Sequence, residues 1–462
     1  MKIRTIRKNQ VISPFGLGGI FDFQGESFVH MDIEKWPPDP MIHLKRLEQV
    51  MRVDHFRAPP VADQPHKAPD YKKVIFKRFP AWHFCPLSKC RRMSLLSWQN
   101  EERGEAPKCA ACNKGTLVPM RFVSVCEAGH LDDVDWHWWV HAGQQGVNCP
   151  TKNKLKFVSK PSRGTGLGAL FIHCEGCGRE KSLEGLTRKG VMSSIGVKCR
   201  GRHPWTRRSV ECDKVPQIVQ RGASNAYFPV TASALDIPLV DAADQTLTDD
   251  NIRANKTFEN LKMLYESIDN GTEIRDNVPV MMFVTKVATE VGCSEDDVIR
   301  ILTESDEAEA EEVAPKYDEQ KILKEEWAAL TGNPKKTANF SKTDIYRTGG
   351  EIDNADSAEK SVLDMVCQLS AINRVREVRA LRGFERLVPA GDFVVECKER
   401  ARSWAPALEV FGEGVFIALS EDKLVEWEQA NEAFLSPLIA KSKAAWADSY
   451  QKSYLPEPSA RF

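Results

Sequence analysis

The sequence predicts a multi-domain α+β protein, with small β-rich zinc-ribbon modules, then a helical insertion, then a mixed α/β C-terminal segment. Three observations predict it. Ten of the 13 cysteines lie between Trp82 and Cys212, mostly paired at short intervals, with His130, His137, His141, His173 and His203 among them. Residues 249 to about 331 are charged and patterned as helices. Both ends of the chain carry alternating apolar and polar runs around glycines, the mark of strands and turns. At 462 residues the chain is long enough for about two to four cores. The expected divisions are an N-terminal β-hairpin or meander region (1–80), a zinc-binding region (81–215), a connecting strand segment (216–248), a helical charged insertion and linker (249–356) and a C-terminal α/β segment (357–462).

Composition narrows the function classes. No run of 18 apolar residues is present, so no membrane span is expected. The basic start Met1-Lys-Ile-Arg-Thr-Ile-Arg-Lys8 leads into Ser13-Pro-Phe-Gly-Leu-Gly-Gly19 without an apolar signal core, which points to the cytoplasm. Thiols stay reduced there, so clustered cysteines are expected to hold metal and not to form disulfides. The net charge of -1 hides an asymmetry: 14 Lys and Arg against 3 Glu between Lys152 and Arg208, but 2 basic against 11 acidic residues between Glu295 and Glu319. The basic segment suits a polyanion; two solvated faces are the competing explanation.

Taken in order, Gln10 to Val29 reads as a hairpin or meander bent at Gly16, Gly18 and Gly19. These glycines, like those of Arg163-Gly-Thr-Gly-Leu-Gly168, lack the strand before, the helix after and the Lys-Ser/Thr of a phosphate loop. ATP hydrolysis by this chain alone is therefore not expected. Residues 41 to 52 suit a short helix, Pro59 to Pro69 a loop, and Tyr71 to Phe79 a strand leading to the first cysteine.

Cys85-x4-Cys90, an 18-residue spacer and Cys109-x2-Cys112 have zinc-ribbon spacing. Each pair forms a knuckle, and four thiolates leave no open coordination position, so the site is expected to be structural. Cys174-x2-Cys177 is a second clear knuckle, assigned to Cys199 and Cys212, with His203 able to replace either late cysteine. A third zinc on Cys126, His130 and Cys149, with His141 nearby, remains open. Two or three structural zinc ions per chain are thus expected.

The run Cys126-Glu-Ala-Gly-His-Leu-Asp-Asp-Val-Asp-Trp-His-Trp-Trp139 supports two other readings. In one, His130, Asp132, Asp133, Asp135 and His137 hold hydrolytic metal ions, as in nucleases. In the preferred one, the carboxylates cap amides and Trp136, Trp138 and Trp139 fill a core.

After Gln217, Arg221, Ser224 and Asn225 cluster beside Tyr227 and Phe228, before an apolar strand ended by proline. Residues 280–290 and 295–304 form a helical hairpin whose second helix starts with Glu295, Asp296 and Asp297, so it is not a DNA-reading helix-turn-helix. Glu304 to Glu312 is a solvated acidic run, and Gly332 to Asp356 a linker. Cys293, Cys367 and Cys397 stand alone as ordinary packed or surface residues. Ser361 to Ile372 looks helical, Arg374 to Leu387 carries interleaved arginines suited to phosphates or to the solvated face of a strand, and Trp404 to Leu419 reads as two strands hinged at Gly412-Glu-Gly414. An amphipathic helix follows from Asp422.

Six collinear stretches resemble the DrmB family, the helicase-associated subunits of DISARM anti-phage systems in bacteria. They are Ser13 to Asp22, Arg78 to Pro86, Cys126 to Asp133, Gln220 to Pro229, Leu381 to Leu387 and Gly412 to Phe416, the run at 220–229 being the most specific. The resemblance implies a non-enzymatic partner of a DrmA-like superfamily-2 helicase, acting on phage DNA in the cytoplasm. Family members continue past the Gly-Glu-Gly segment into a histidine-containing helix and a late cysteine cluster. This sequence ends at Phe462 without either, so the resemblance implies that this domain of unknown function is a separate chain or has been cut away. The expected DNA contacts are Lys152, Lys154, Lys156, Lys160, Arg163, Arg202, Arg207, Arg208, Arg221 and Asn225. The alternatives are a metal-dependent nuclease built on His130, Asp132 and Asp133, and a scaffold that binds protein only.

Overall fold

In the computed structural model the protein is mixed α+β, with many small sheets and cysteine clusters between them. The structure describes residues 6–61, 73–97, 105–142, 154–238, 255–266, 277–291, 295–303, 319–348, 362–389, 394–397 and 402–447, with a few single residues between these ranges, Cys149 among them. Lys152, Cys293, Ser294, the acidic run 304–312 and most of the 59–69 loop lie outside the described residues.

Two compact units are interleaved along the chain. The first comprises Met1–Ala234, Val378–Val410 and Leu424–Phe462; the second comprises Leu235–Glu377 and Phe411–Lys423.

In the first unit a short helix, Lys8–Ile12, precedes a hairpin of Ile20–Phe23 and Glu26–His30, paired from Ile20↔Val29 to Phe23↔Glu26. The turn is Gln24-Gly25, both at positive φ (50° and 81°), as a two-residue turn matched to strand twist requires. The hairpin itself bends there, while Gly16, Gly18 and Gly19 make a separate turn ahead of it, closed by the Gly19 amide on Gly16 O at 2.8 Å with Gly18 at φ 75°. Those glycines also pack closely: a Cβ on Gly16 would stand 2.5 Å from Leu381 Cδ2 and 2.6 Å from the Tyr227 hydroxyl. Phe76–Arg78 adds a third strand, pairing Phe28 with Arg78. One core gathers Ile12, Val29, Trp36, Phe79, Val123, Leu131, Trp205, Leu381, Phe384 and Trp404. A second gathers Trp82, Met93, Phe122, Trp136, Trp139, Leu155, Ile172 and Ile218.

Three small antiparallel sheets position the cysteines. Met93–Leu95, Trp82–Phe84 and Val118–Pro119 form one; Leu131–Asp133, Phe122–Val125 and Gln217–Gln220 form another; Leu155–Ser159, Leu170–Cys174 and Glu180–Ser182 form the third. The helix Trp136–His141 packs on the last two strands of the third sheet. Its N-cap is Asp135, which accepts from the Trp138 amide at 2.9 Å.

In the second unit the helices Lys256–Glu266, Val278–Val291 and Glu295–Thr303 close on Leu261, Val280, Val284, Val287 and Val298, which contains the expected helical hairpin. Glu319–Thr331 supplies Ala329 to a smaller core with Ile237 and Phe340.

Three expectations are corrected here. Part of the supposed linker is a strand, Phe340–Arg347, paired with the region that looks helical in sequence, from Phe340↔Val375 to Arg347↔Gln368. That region belongs to one long strand, Val366–Glu385. Its buried face carries Gln368, Ser370, Ile372, Arg376, Val378 and Ala380 at a period of two, and the polar members hide the alternation from a hydrophobicity count. They are tolerated inside because each is satisfied: Gln368 donates to Leu330 O at 3.0 Å, Ser370 to Asp344 Oδ1 at 2.7 Å, and Arg376 to Asp236 Oδ2 at 2.7 Å. Lastly, Trp404–Leu419 is one strand without a hinge, because Gly412 and Gly414 stay extended in an exposed stretch.

Candidate metal centres

Three groups of four side chains converge so that their ligand atoms lie within 4.8 Å of one another: Cys85, Cys90, Cys109 and Cys112; Cys126, His130, Cys199 and Cys212; and His141, Cys149, Cys174 and Cys177. Each group could hold a metal ion. The sulfurs are not bonded to one another. Sγ–Sγ separations are 3.7 Å for Cys85–Cys112, Cys90–Cys109 and Cys149–Cys174, and 3.6 Å for Cys126–Cys199. The edge of a tetrahedron with metal–sulfur bonds of about 2.3 Å is about 3.8 Å, whereas a disulfide is about 2.05 Å. The donor spacing therefore fits a four-coordinate ion.

The first group is the ribbon read from the sequence. Cys85 leaves the strand Trp82–Phe84, and the tight turns that follow use left-handed residues, Arg91 (φ 53°) and Asn113 (φ 56°). Gly115 has no freedom to vary, since a Cβ there would lie 2.5 Å from Cys85 Sγ. Amides of Lys114 and Gly115 aimed at Cys112 hold its thiol down to about 6, whereas burial pushes the Cys85 thiol up to about 12. A cation is the natural counter-charge for such a set.

Assigning Cys199 and Cys212 to the Cys174–Cys177 knuckle is corrected by strand pairing. Gln217 pairs with Val125, so Cys212, just ahead of that strand, arrives beside Cys126. Leu155 pairs with Cys174, so Cys149, just ahead of Leu155, arrives beside Cys174. Cys149 is thus separated from Cys126 and His130, the partners suggested by its place in the sequence. His141, at the end of its helix, completes the third set.

Both histidines are oriented for ligation. His130 Nδ1 lies 3.2 Å from Cys126 Sγ and 3.5 Å from Cys199 Sγ. His141 Nε2 lies 3.2 Å from Cys177 Sγ, while its Nδ1 lies 2.6 Å from the His137 carbonyl. A proton on Nδ1 donated to that carbonyl leaves Nε2 available to a metal, the usual support for a ligating imidazole. His203 is in none of the sets. Its ring packs edge-on against His130 and Trp205, and burial, then His130 and Arg386, bring it down to about 4.

Asp132, Asp133 and Asp135 of the 126–139 run are each engaged by protein groups. Asp133 accepts from the amides of Ala81 and Trp82, both at 3.1 Å, and burial pushes its carboxyl up to about 6. Asp132 pairs with Arg200 at 2.6 Å and Arg202 at 3.4 Å. Trp136 and Trp139 are buried, but Trp138 is 48% exposed and does not fill the core as expected.

The expected DNA contacts divide. Lys156 pairs with Glu175 at 2.7 Å, Lys160 and Arg163 share Glu180, and Arg221 pairs with Asp22 at 3.0 Å. Asn225 contributes its carbonyl to the Leu387 amide, and Lys154 is exposed. Arg202, Arg207 and Arg208 come together along one cleft.

The residue that composition misses is Arg386. Its side chain is buried and donates to the carbonyls of Gly129 (2.9 Å), Gly18 (2.9 Å) and Ala226, with Trp205, Tyr227 and Phe384 around it. Gly129 is the left-handed residue (φ 78°) of the Cys126–His130 knuckle. Arg386 therefore ties that knuckle to the N-terminal glycines and to the 220–229 run. Four of the six stretches that carry the family resemblance meet at this guanidinium.

A fold of small sheets built round three cysteine-rich knuckle clusters defines the class, and comparison with known proteins gives it a family context. A family model described as a domain of unknown function (DUF8724) matches residues 7–228, which include all twelve clustered ligands. The DISARM protein DrmB of Bacillus paralicheniformis is 27% identical over 446 residues, covering 93% of this chain and 73% of that protein. The chain is DrmB-like over nearly its whole length.

Proposed function

We propose that the chain is a non-catalytic, zinc-stabilised, DNA-binding subunit of a DISARM anti-phage complex in the bacterial cytoplasm, where it partners a superfamily-2 helicase. The observation that carries the reading is the make-up of the three clusters. Each supplies four protein donors, all cysteines in the first and three cysteines with one histidine in the other two. Zinc so bound has no position left for water or substrate. It supplies folding energy there, about 10–16 kcal/mol for comparable small sites. Similarity to a DISARM protein supports membership of a defence complex. The surplus of basic residues between Lys152 and Arg208 supports DNA as a ligand.

The engagement of Asp132 by arginines and of Asp133 by backbone amides supports the non-catalytic reading over the nuclease. The test is to co-express the chain with the neighbouring helicase subunit and assay the purified material on DNA. Co-purification, together with salt-sensitive DNA binding by the chain alone and no strand cleavage in magnesium or manganese, is expected. Cleavage that disappears in Asp133→Ala would overturn the reading in favour of the nuclease. Co-purification without any DNA binding would leave a protein-only scaffold.

A further inference from the structure

A cleft of about 370 Å³ opens beside the second cluster, between the strand Phe76–Arg78 and the hairpin Arg202–His203/Arg208–Ser209. Five cationic side chains line it: Lys77 and Arg78 from the strand, and Arg202, Arg207 and Arg208 from the hairpin. Its carboxylates are Asp132 and Asp133. Asp133 uses both oxygens on backbone amides, and Asp132 pairs with Arg202 of the lining at 3.4 Å and with Arg200 outside it at 2.6 Å. With the Glu26 that pairs with Arg78 at 2.6 Å counted as well, the cleft holds five cationic side chains against three carboxylates.

The hairpin is held rigidly. Cys199 and Cys212 of the second cluster bracket it. Gly201 (φ 60°) packs so closely that a Cβ would stand 1.6 Å from Val210 O. Arg207 takes a left-handed conformation (φ 60°), and its amide bonds to His203 O at 2.8 Å. Trp205, 2% exposed, roots the turn in the core against Phe384. Arg202, Arg207 and Arg208 are nevertheless exposed. Three exposed arginines on a pre-organised hairpin along an open cleft match a ligand carrying successive negative charges better than one small anion.

We infer that this cleft is where the chain grips a nucleic-acid phosphodiester backbone, with Arg202, Arg207 and Arg208 as the main contacts. The inference rests on the proposal that the chain binds DNA, and it places the contact on the hairpin instead of on the segment carrying Lys156, Lys160 and Arg163. Backbone recognition is sequence-independent and releases counterions, so it has a salt signature that a merely structural role does not share.

The test measures fluorescence anisotropy of labelled single-stranded and duplex oligonucleotides on the zinc-loaded full chain, with inorganic phosphate as competitor. The variants are Arg207→Asn with Arg208→Gln, Arg202→Gln alone, and Lys35→Gln with Lys45→Gln as an exposed control outside the cleft. Asparagine tolerates the left-handed backbone of residue 207. Zinc content matching the unaltered chain establishes that each variant is folded.

The double hairpin variant should weaken binding about tenfold or more at moderate salt. On duplex it should reduce the slope of log affinity against log salt by about two, one unit for each phosphate no longer neutralised. Arg202→Gln should act in the same direction, and the control should change affinity less than about threefold. Millimolar phosphate should compete only weakly. If folded hairpin variants bind as well as the unaltered chain, the cleft is overturned while DNA binding stands. If the unaltered chain binds neither oligonucleotide, both the cleft and the DNA-binding proposal fall. Displacement by micromolar phosphate would overturn the polyanion assignment in favour of a small-anion site.

Discussion

At the scale of single residues, Arg386 and His30 show how burial converts ordinary side chains into constraints. Arg386 is a fully buried cation whose partners are carbonyl oxygens and aromatic faces; burial brings it down to about 9. Arg386→Leu would leave the carbonyls of Gly18, Gly129 and Ala226 without that donor. A loss on the order of 3 kcal/mol or more is expected in urea unfolding, with weakened metal retention by the second cluster. An unchanged midpoint would mean that the three carbonyls find other donors. His30, 1% exposed, stacks with Trp36 and with Phe76 and has its Nδ1 3.0 Å from the Phe15 carbonyl, and desolvation lowers it from 6.5 to about 4. Between those values the unfolded chain binds a proton that the folded chain excludes, so stability falls as pH falls from 6.5 to about 4. The full effect is on the order of 3 kcal/mol. His30→Asn should flatten the pH dependence of the unfolding midpoint in this window, whatever it does to stability at neutral pH; an equal slope in both proteins would rule the effect out.

At the scale of elements, the legibility of each cluster follows from the distance over which its partners are brought together. The first ribbon is readable because both of its pairs are local and its spacer is hairpin-sized. Pairing of the remaining ligands is set by registers between distant segments, Gln217 with Val125 and Leu155 with Cys174, and no local spacing encodes those. His141 sits in a Trp-rich helix whose buried face is chosen by packing on a sheet formed later in the chain. The long strand Val366–Glu385 is hard to read for a related reason. Gln368, Ser370 and Arg376 occupy buried positions only because Leu330, Asp344 and Asp236 satisfy them, and those partners lie far away in sequence. Arg386 reads in the sequence as one more arginine of a charged stripe. The grouping itself is testable with paired substitutions. Cys177→Ser with Cys199→Ser touches two clusters and should leave one tightly held metal of three; Cys199→Ser with Cys212→Ser touches one and should leave two. Equal losses in both double variants would restore a single site containing Cys177 and Cys199.

At the scale of the whole molecule, all twelve candidate ligands belong to the first unit, while the helices Lys256–Glu266, Val278–Val291 and Glu295–Thr303 close on an apolar core in the second. The sheets that carry the ligands have strands of two to five residues and bury too little to be stable alone. Knuckle closure by metal is therefore expected to supply much of the first unit's stability. Strong chelation should abolish the near-ultraviolet dichroism of Trp82, Trp136, Trp139 and Trp205 while a large part of the helical far-ultraviolet signal survives. A single transition that removes both signals together would contradict that division.

The most direct test is the metal itself, measured as stoichiometry and ligand chemistry on the purified, reduced chain. Three filled clusters require three zinc ions per chain and an X-ray absorption shell averaging ten sulfurs to two nitrogens, without bound water. Two ions or fewer at saturation, or a shell containing water or carboxylate oxygen, would contradict a protein organised by three closed structural sites.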